Sequence, residues 1–265
     1  MSQGKIFVGV GGWTFEPWRG SFYPKGLPAR RELEDMSSRL TSVEVNGTYY
    51  RLQTPSTFAK WHDETPEGFV FALKGSRYIT NRKNLADAGE SIERFMASGL
   101  TELKEKLGPL NWQLAPTKKF DAEEFGAFLA LLPKSLDGRF LRHAVEVRHP
   151  SFRVPEAVAI AREHGVALVA AGDCEYPQIA DATAPFVYAR IMGTIEDERL
   201  GYSEPALDAW AERARAWASG KQPDGLETIG KEPGPSEPRD VYLYVISGAK
   251  ALNPLAAEAL IERLK

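Results

Sequence analysis

The chain has one cysteine in 265 residues. A single thiol, Cys174, excludes an intrachain disulfide and a zinc site built from several cysteines. It suits a reducing compartment, so the cytoplasm is the expected location. No run reaches the roughly 18 apolar residues that a membrane-spanning helix needs. The first residues, up to Val10, hold too short an apolar stretch for a signal peptide, so no membrane contact is expected. Net charge is only −3, so no global attraction to nucleic acid or anionic lipid follows, and any basic site must be local. There is no Gly-x-Ser-x-Gly, and Cys174 has no histidine close in sequence, so a Ser or Cys nucleophile is unsupported. The first strand leads into Gly9, Gly11, Gly12 and Trp13 rather than a Gly-x-Gly-x-x-Gly opening a helix. That argues against a doubly wound dinucleotide-binding sheet, and no cofactor is expected.

What is present is a regular alternation. Apolar strand-like runs fall at 5–10, 42–47, 69–75, 108–114, 143–149, 166–172, 186–192 and 240–246. Helical patterns fall at 30–40, 55–65, 91–107 (with a bend expected near Gly99), 121–132, 155–164, 203–218 and 253–264. Several strands are continuously apolar, as strands covered on both faces are. Eight strands alternating with helices over this length predict an α/β fold, a single (β/α)8 barrel spanning 1–265. The stretch 175–185 is irregular, so one helix is short or missing. The Pro-, Gly- and Glu-rich segment 220–239 precedes the eighth strand. It reads as a mobile insertion on the N-terminal face of the barrel.

The stretch His143-Ala-Val-Glu-Val-Arg-His-Pro150 carries the functional signal. Val145 and Val147 alternate with Ala144, Glu146 and Arg148, so a carboxylate and a guanidinium share the inner face of a hydrophobic strand. Such a pair is costly to desolvate unless it is paired or used. The same parity rule brings Glu44, Asn46, Lys74, Gln113, Glu146, Arg148 and Arg190 to the strand C-termini, with His149 and Asp173 just beyond. In a barrel these converge on one mouth, the face that carries active sites. The loops after the first five strands add Arg19, Arg51, Arg77, Arg82, Lys83, Lys118, Lys119 and Arg153, interleaved with Trp13, Trp18, Tyr23, Tyr49, Tyr50 and Tyr78, of which Tyr49, like Phe15 and Phe22, is expected to pack the first loop onto the barrel.

Cations at the mouth of an acidic protein point to a small anionic ligand such as a phosphate, a sulfate or a sugar phosphate. Glu44, Glu146, His149 and Lys74 are the candidates for proton transfer. Trp13, Trp18, Asn46, Tyr50, Gln113, Arg148, Asp173, Tyr188 and Arg190 are the candidates for substrate binding. Glu44 and Glu146 would also serve glycoside hydrolysis if they faced each other across a gap. Isomerase, lyase and hydrolase chemistry all stay open. The residues that could hold a divalent metal are Glu44, Glu146, His149 and Asp173, beside cations that already supply positive charge. A nucleic-acid-binding or processing barrel and a non-catalytic ligand sensor are the alternatives, since rings beside cations suit a stacked base.

The chain resembles the YecE-like family of barrels, a domain of unknown function. The resemblance rests on Gly9-Val-Gly-Gly-Trp13, Trp18-Arg-Gly-Ser-Phe-Tyr-Pro24, Val43-Glu-Val-Asn46 with Thr48-Tyr-Tyr-Arg-Leu52, Thr65-Pro-Glu-Gly-Phe69, Gln113-Leu114, Val145-Glu-Val-Arg-His-Pro-Ser151 and Tyr188-Ala-Arg190 with Tyr202-Ser203. It implies a (β/α)8 barrel with signature positions at Trp13, Glu44, Asn46, Tyr50, Lys74, Gln113, Glu146, Arg148, His149 and Arg190, and it supplies no reaction. The chain departs from that pattern at Gly11, where the family usually has Ser, and at Ala115-Pro116, where it usually has Pro-Pro. It departs again at Ile246-Ser247-Gly248, where a polar Asn-Asn-Asp-like run is usual; this change removes polar groups from the mouth.

Overall fold

Runs rich in β-branched and aromatic residues become strands, and all the long ones pair in parallel. The structure, a computed structural model, describes residues 3–232, 234 and 236–265. The barrel strands are β1 Ile6–Gly11, β2 Ser42–Val45, β3 Val70–Lys74, β4 Leu107–Gln113 and β5 His143–Glu146. They continue with β6, in two pieces Ala167–Leu168 and Ala170–Gly172, then β7 Phe186–Ile191 and β8 Asp240–Val245. β1 lies between β8 (Ile6↔Val241) and β2 (Gly9↔Ser42). The first piece of β6 pairs with β5 (Ala144↔Ala167) and the second with β7 (Ala189↔Ala170). One interrupted strand thus joins both ends of the sheet, and the ring closes.

Helices follow seven of the eight strands: α1 Glu32–Ser37, α2 Pro55–Asp63, α3 Gly89–Met96, α4 Ala122–Ala130, α5 Pro155–His164, α6 Glu204–Ala218 and α7 Asn253–Leu264. Their starts are written locally. Thr54, Asp121 and Ser203 accept backbone N–H bonds from Thr57, Glu124 and Ala206, satisfying donors the helix leaves orphaned. Gly165 ends α5 at φ 65°, the left-handed stop that glycine adopts without strain. Among the described residues no helix is long and apolar enough to cross a membrane.

The expected helix over 91–107 is two elements. α3 stops at Met96, Gly99 turns the chain at φ 91°, and a separate run of 3₁₀ turns spans Leu100–Lys106. The helix expected over 30–40 is one short 3₁₀ turn followed by α1. β2 and β5 end two and three residues earlier than expected, at Val45 and Glu146. A two-stranded hairpin, Ser135–Leu136 with Arg139–Phe140, was not foreseen.

Strand alternation sorts the apolar residues into two cores. Val8, Val43, Phe71, Trp112, Val145 and Leu243 face the helices, while Phe7, Ala72, Ala144, Phe186, Tyr188 and Tyr244 fill the barrel. Small residues on some strands leave room for the large rings of others. The Tyr188 and Tyr244 rings sit 5.1 Å apart, and Tyr244 shares a 2.8 Å hydrogen bond with Ser42.

β6 is followed by no helix, and the segment expected as a loose insertion covers that gap. Ala180 N–H bonds to Glu227 O, and Glu227 N–H to Gln178 Oε1. The Asp181 carboxylate accepts from Ile229 N at 2.7 Å and Gly230 N at 2.9 Å. Leu226 and Ile229 pack on the outer core, and Arg153, in the loop after β5, pairs with Glu227. Residues 226–230 of the segment therefore lie along the outer side of the barrel beside 178–181. The physical reason is the outer face of β6, Val166, Leu168 and Ala170, which needs an apolar cover that no helix provides.

Candidate functional site

The ionisable residues of the inner parity meet above the ring of tyrosines, at the C-terminal ends of the strands. Glu44 on β2 accepts from Arg190 Nη2 at 3.0 Å, from Tyr188 OH at 2.7 Å and from Asn111 Nδ2 at 3.2 Å. Glu146 on β5 accepts from Arg148 Nε at 2.7 Å and from Arg190 Nη1. Arg190, on β7, therefore reaches across the barrel and binds both carboxylates. Two polar atoms of this network, Arg190 Nε and Asn111 Oδ1, are buried without a hydrogen-bond partner in the chain, an arrangement that costs stability.

Above the carboxylates, the amide oxygen of Gln113 takes 2.7 Å from Lys74 Nζ, 2.9 Å from Arg148 Nη2 and 3.4 Å from Arg190 Nη1. Tyr176 closes one side: its hydroxyl accepts from Arg148 Nη1 at 3.2 Å, and its ring lies 4.2 Å from the guanidinium. Tyr49 closes the other, with its ring 4.9 Å from Lys74 Nζ.

Exposure is graded. Glu44 and Glu146 are 0% exposed, and Lys74 and Arg190 are buried. Gln113, Arg148, Asn46 and Trp13 are partly open. Burial pushes the Glu44 carboxyl up, and Arg190, Lys74, Tyr188 and Asn111 together outweigh it, so its pKa lies below the usual range. Burial takes the Lys74 amine down to about 8; Glu44 resists that change and Arg190 adds to it. Two carboxylates thus face three cations, and the part nearest solvent is the cationic part.

The structure brings Glu44, Lys74, Gln113, Glu146, Arg148, Tyr188 and Arg190 into one network. Asn46 stands beside it: its Nδ2 lies 2.9 Å from where a Cβ on Gly11 would sit, and Ile246 Cγ2 lies 3.1 Å from the same point. Two departures from the family pattern, Gly11 and Ile246, are therefore neighbours, and a side chain at 11 would meet Ile246. Other expected residues fall outside the network. Trp18 is fully buried, packs edge-on against Phe15, Phe22 and Tyr23, and donates to Lys250 O; it pins the first loop and offers no ring to a ligand.

Asp173 accepts from Trp210 Nε1 at 2.8 Å, so it ties the end of β6 to α6. His149 Nδ1 accepts from Ser151 N and pairs with its hydroxyl, which caps the turn after β5. Trp13 stacks edge-on against Trp61 on α2, and Tyr50 stands at the rim, 60% exposed. Of the loop cations, Arg19, Lys118 and Arg153 are engaged by Glu32, Glu124 and Glu227.

Asn111 and Tyr176 were missed by sequence reasoning. Asn111 has the same parity as Gln113, a signal that was available. Tyr176 sits in an irregular loop where no periodicity points inward. Among the described residues no group of three or more His, Cys, Asp or Glu side chains is arranged to hold a metal ion.

A closed parallel barrel with its ionisable side chains gathered at the strand C-termini is a TIM-type barrel with a polar pit at the functional face. The chain belongs to the family described as "Protein of unknown function DUF72", whose sequence profile matches residues 7–265. It is similar to the UPF0759 protein YecE of Escherichia coli (strain K12), 29% identical over 147 residues, covering 56% of this chain and 50% of YecE. The match thus spans about half of YecE's length.

Crystal structures of family proteins share the fold. One from Enterococcus faecalis superposes with a TM-score of 0.72 at 18% identity, covering 98% of this chain and 95% of that one. One from Thermotoga maritima superposes with a TM-score of 0.69 at 22% identity, covering 97% and 99%.

Proposed function

We propose that the protein is a cytoplasmic enzyme that binds a small anionic substrate, phosphorylated or sugar-containing, in this pit and moves a proton there. The observation that carries the reading is the load on Gln113. One neutral amide oxygen accepts from Lys74, Arg148 and Arg190 together. The acceptor that best answers three converging cations is a charged oxygen, because it adds ion–ion attraction, strengthened by the low dielectric of a buried site, to bonds a neutral amide meets only with its dipole. A phosphate or carboxylate oxygen that joins or displaces the amide gains that difference.

The roles then divide by burial. Glu44 and Glu146 have no exposed surface and hold Arg190 and Arg148 in place. Arg190 is bonded to both, so the two carboxylates do not flank the open gap that glycoside hydrolysis requires. Proton transfer falls to Lys74, whose amine burial brings down to about 8. Asn46 and Trp13 are the candidates for meeting a hydroxyl and an apolar face. The single cysteine supports the reducing compartment.

Thermal unfolding with phosphate, sulfate, sugar phosphates and small carboxylates tests this reading. A binding anion at a hundredfold excess over its Kd adds about 2.7 kcal/mol, several degrees in Tm for a chain of this size. Gln113→Glu places a permanent anion among the cations, and the added ligand then gives no shift. If no anion raises the wild-type Tm, or if Gln113→Glu responds as the wild type does, the site is not an anion site. Stabilising compounds are next incubated with the protein and followed by NMR; an unchanged compound makes this a binding protein instead of an enzyme.

A further inference from the structure

Outside the pit, two one-turn helices that follow β2 and β3, Gly47–Tyr50 and Arg77–Thr80, carry a surface that the network does not use. A ladder of alternating cations and rings leads outward from Lys74. Tyr49 stacks edge-on against Tyr50 at 5.1 Å. The Arg77 guanidinium lies 5.9 Å from the Tyr50 ring and 5.5 Å from the Tyr78 ring. Tyr50 is 60% exposed and Tyr78 65%, the two most exposed aromatic side chains on the same rim.

Rings of this size are normally buried, and two such exposures side by side mark a contact surface. Arg51, Arg77 and Lys83 are exposed around them, and none has an ion-pair partner among the described residues. The loop is held in shape: the Arg82 guanidinium donates to Tyr78 O at 3.1 Å and Ser91 Oγ at 2.8 Å, and Asn81 bonds to the Tyr49 hydroxyl. Rings and cations are thus presented on a fixed scaffold.

We infer that this rim binds single-stranded nucleic acid, with unstacked bases on Tyr50 and Tyr78 and backbone phosphates at Arg77, Arg51 and Lys83. The chemistry selects that partner over other polyanions. Unpaired cations alone attract any of them, but exposed rings reward only a ligand that brings π-faces. Duplex bases are already stacked on one another and offer none. An acidic peptide or a sulfated sugar offers charge without planar rings. The surface is separate from the Gln113 cluster, so failure here leaves the small-anion reading standing, and the reverse also holds.

Fluorescence anisotropy of a labelled thymidine oligonucleotide tests the inference with the full chain. Retention is expected at about 50 mM salt and loss toward about 200 mM, as counterion release dictates. Tyr50→Ala and Tyr78→Ala each weaken binding on the order of tenfold, while Tyr50→Phe, which keeps the ring, does not. Arg77→Ala lowers the slope of log affinity against log salt by about 0.7, one single-strand phosphate contact. Circular dichroism of each variant shows that these surface changes leave the fold intact. The inference is overturned if the oligonucleotide is not retained at low salt. It is equally overturned if duplex DNA or heparin binds as tightly and the alanine variants bind like the wild type.

Discussion

Lys74 is the residue whose chemistry is most altered by its position. In an unfolded chain its amine has the ordinary lysine pKa near 10.4; in the pit burial lowers it to about 8. A cation whose pKa is depressed by folding destabilises the native state wherever the amine is charged. Below pH 8 the full cost is present. Between pH 8 and about 10.4 the unfolded chain binds more protons than the native one, so stability rises with pH. Above that range the cost is gone.

A shift of this size corresponds to about 3 kcal/mol at neutral pH. Lys74→Met is therefore expected to be more stable than the wild type at pH 7 by up to about 3 kcal/mol, with the difference closing toward pH 10.4. Urea unfolding of both proteins across that range checks it. A constant offset at every pH would mean that Lys74 titrates normally. A lysine this costly to bury fits the role proposed for Lys74, and structural ion-pair networks shift pKa values as well.

These residues were legible from parity alone: counting in twos placed Glu44, Lys74, Gln113, Glu146 and Arg190 on one face. Their division of labour was not. Whether a carboxylate is free to move a proton or is held by a guanidinium from the opposite strand depends on distances across the barrel, and strand spacing does not encode those.

At the scale of elements, Gly99 decides the path between β3 and β4. It turns the chain after α3 in the left-handed region at φ 91°, and a Cβ there would lie 2.5 Å from Pro55 Cγ on α2. The turn lets Leu100–Lys106 pack under α2, where Lys106 Nζ bonds to the carbonyls of His62 and Thr65 at 2.6 Å each. Gly99→Ala meets both a disfavoured backbone conformation and a close approach to a rigid ring. A loss of about 1–3 kcal/mol is expected, seen as a lower urea midpoint with unchanged slope. An unchanged midpoint would show that α2 yields at no cost.

The strands themselves were plain in the sequence because continuous apolar runs have few other uses. The hairpin at 135–140 was not, because it is short and mostly polar. Its one local sign was Asp137-Gly138, a pair at the turn with φ 49° and 75°, the chemistry of a two-residue type I′ connection. The end of α3 was visible as Gly99, but a bend and a stop look alike until the partner helix is in place.

On the scale of the whole molecule, helices α1 to α7 and one irregular patch cover the barrel. The patch is a property of the fold and not of any single element: 176–185 and 222–232 are far apart in sequence and neither has helical periodicity. Each covers the other, and together they shield the outer face of β6. Their main polar tie is Asp181, whose carboxylate holds the Ile229 and Gly230 amides. Asp181→Ala leaves both amides without that acceptor, at about 1–3 kcal/mol for each one kept from water.

The expected result is a less stable protein in which proteases cut within 222–232 well before the barrel unfolds, because the segment opens locally. Limited proteolysis with mass mapping of the first cut measures this. If the first cut lies elsewhere, or if its rate equals that of the wild type, the packing of Leu226 and Ile229 holds the patch without Asp181. The pit lies at the C-terminal mouth of the barrel, inside the ring, and meets this patch at Tyr176, whose hydroxyl and ring are engaged by Arg148. On the anion-binding proposal, the variant is expected to show the same anion-induced rise in Tm as the wild type even as its baseline falls, which separates sealing of the barrel from the proposed binding.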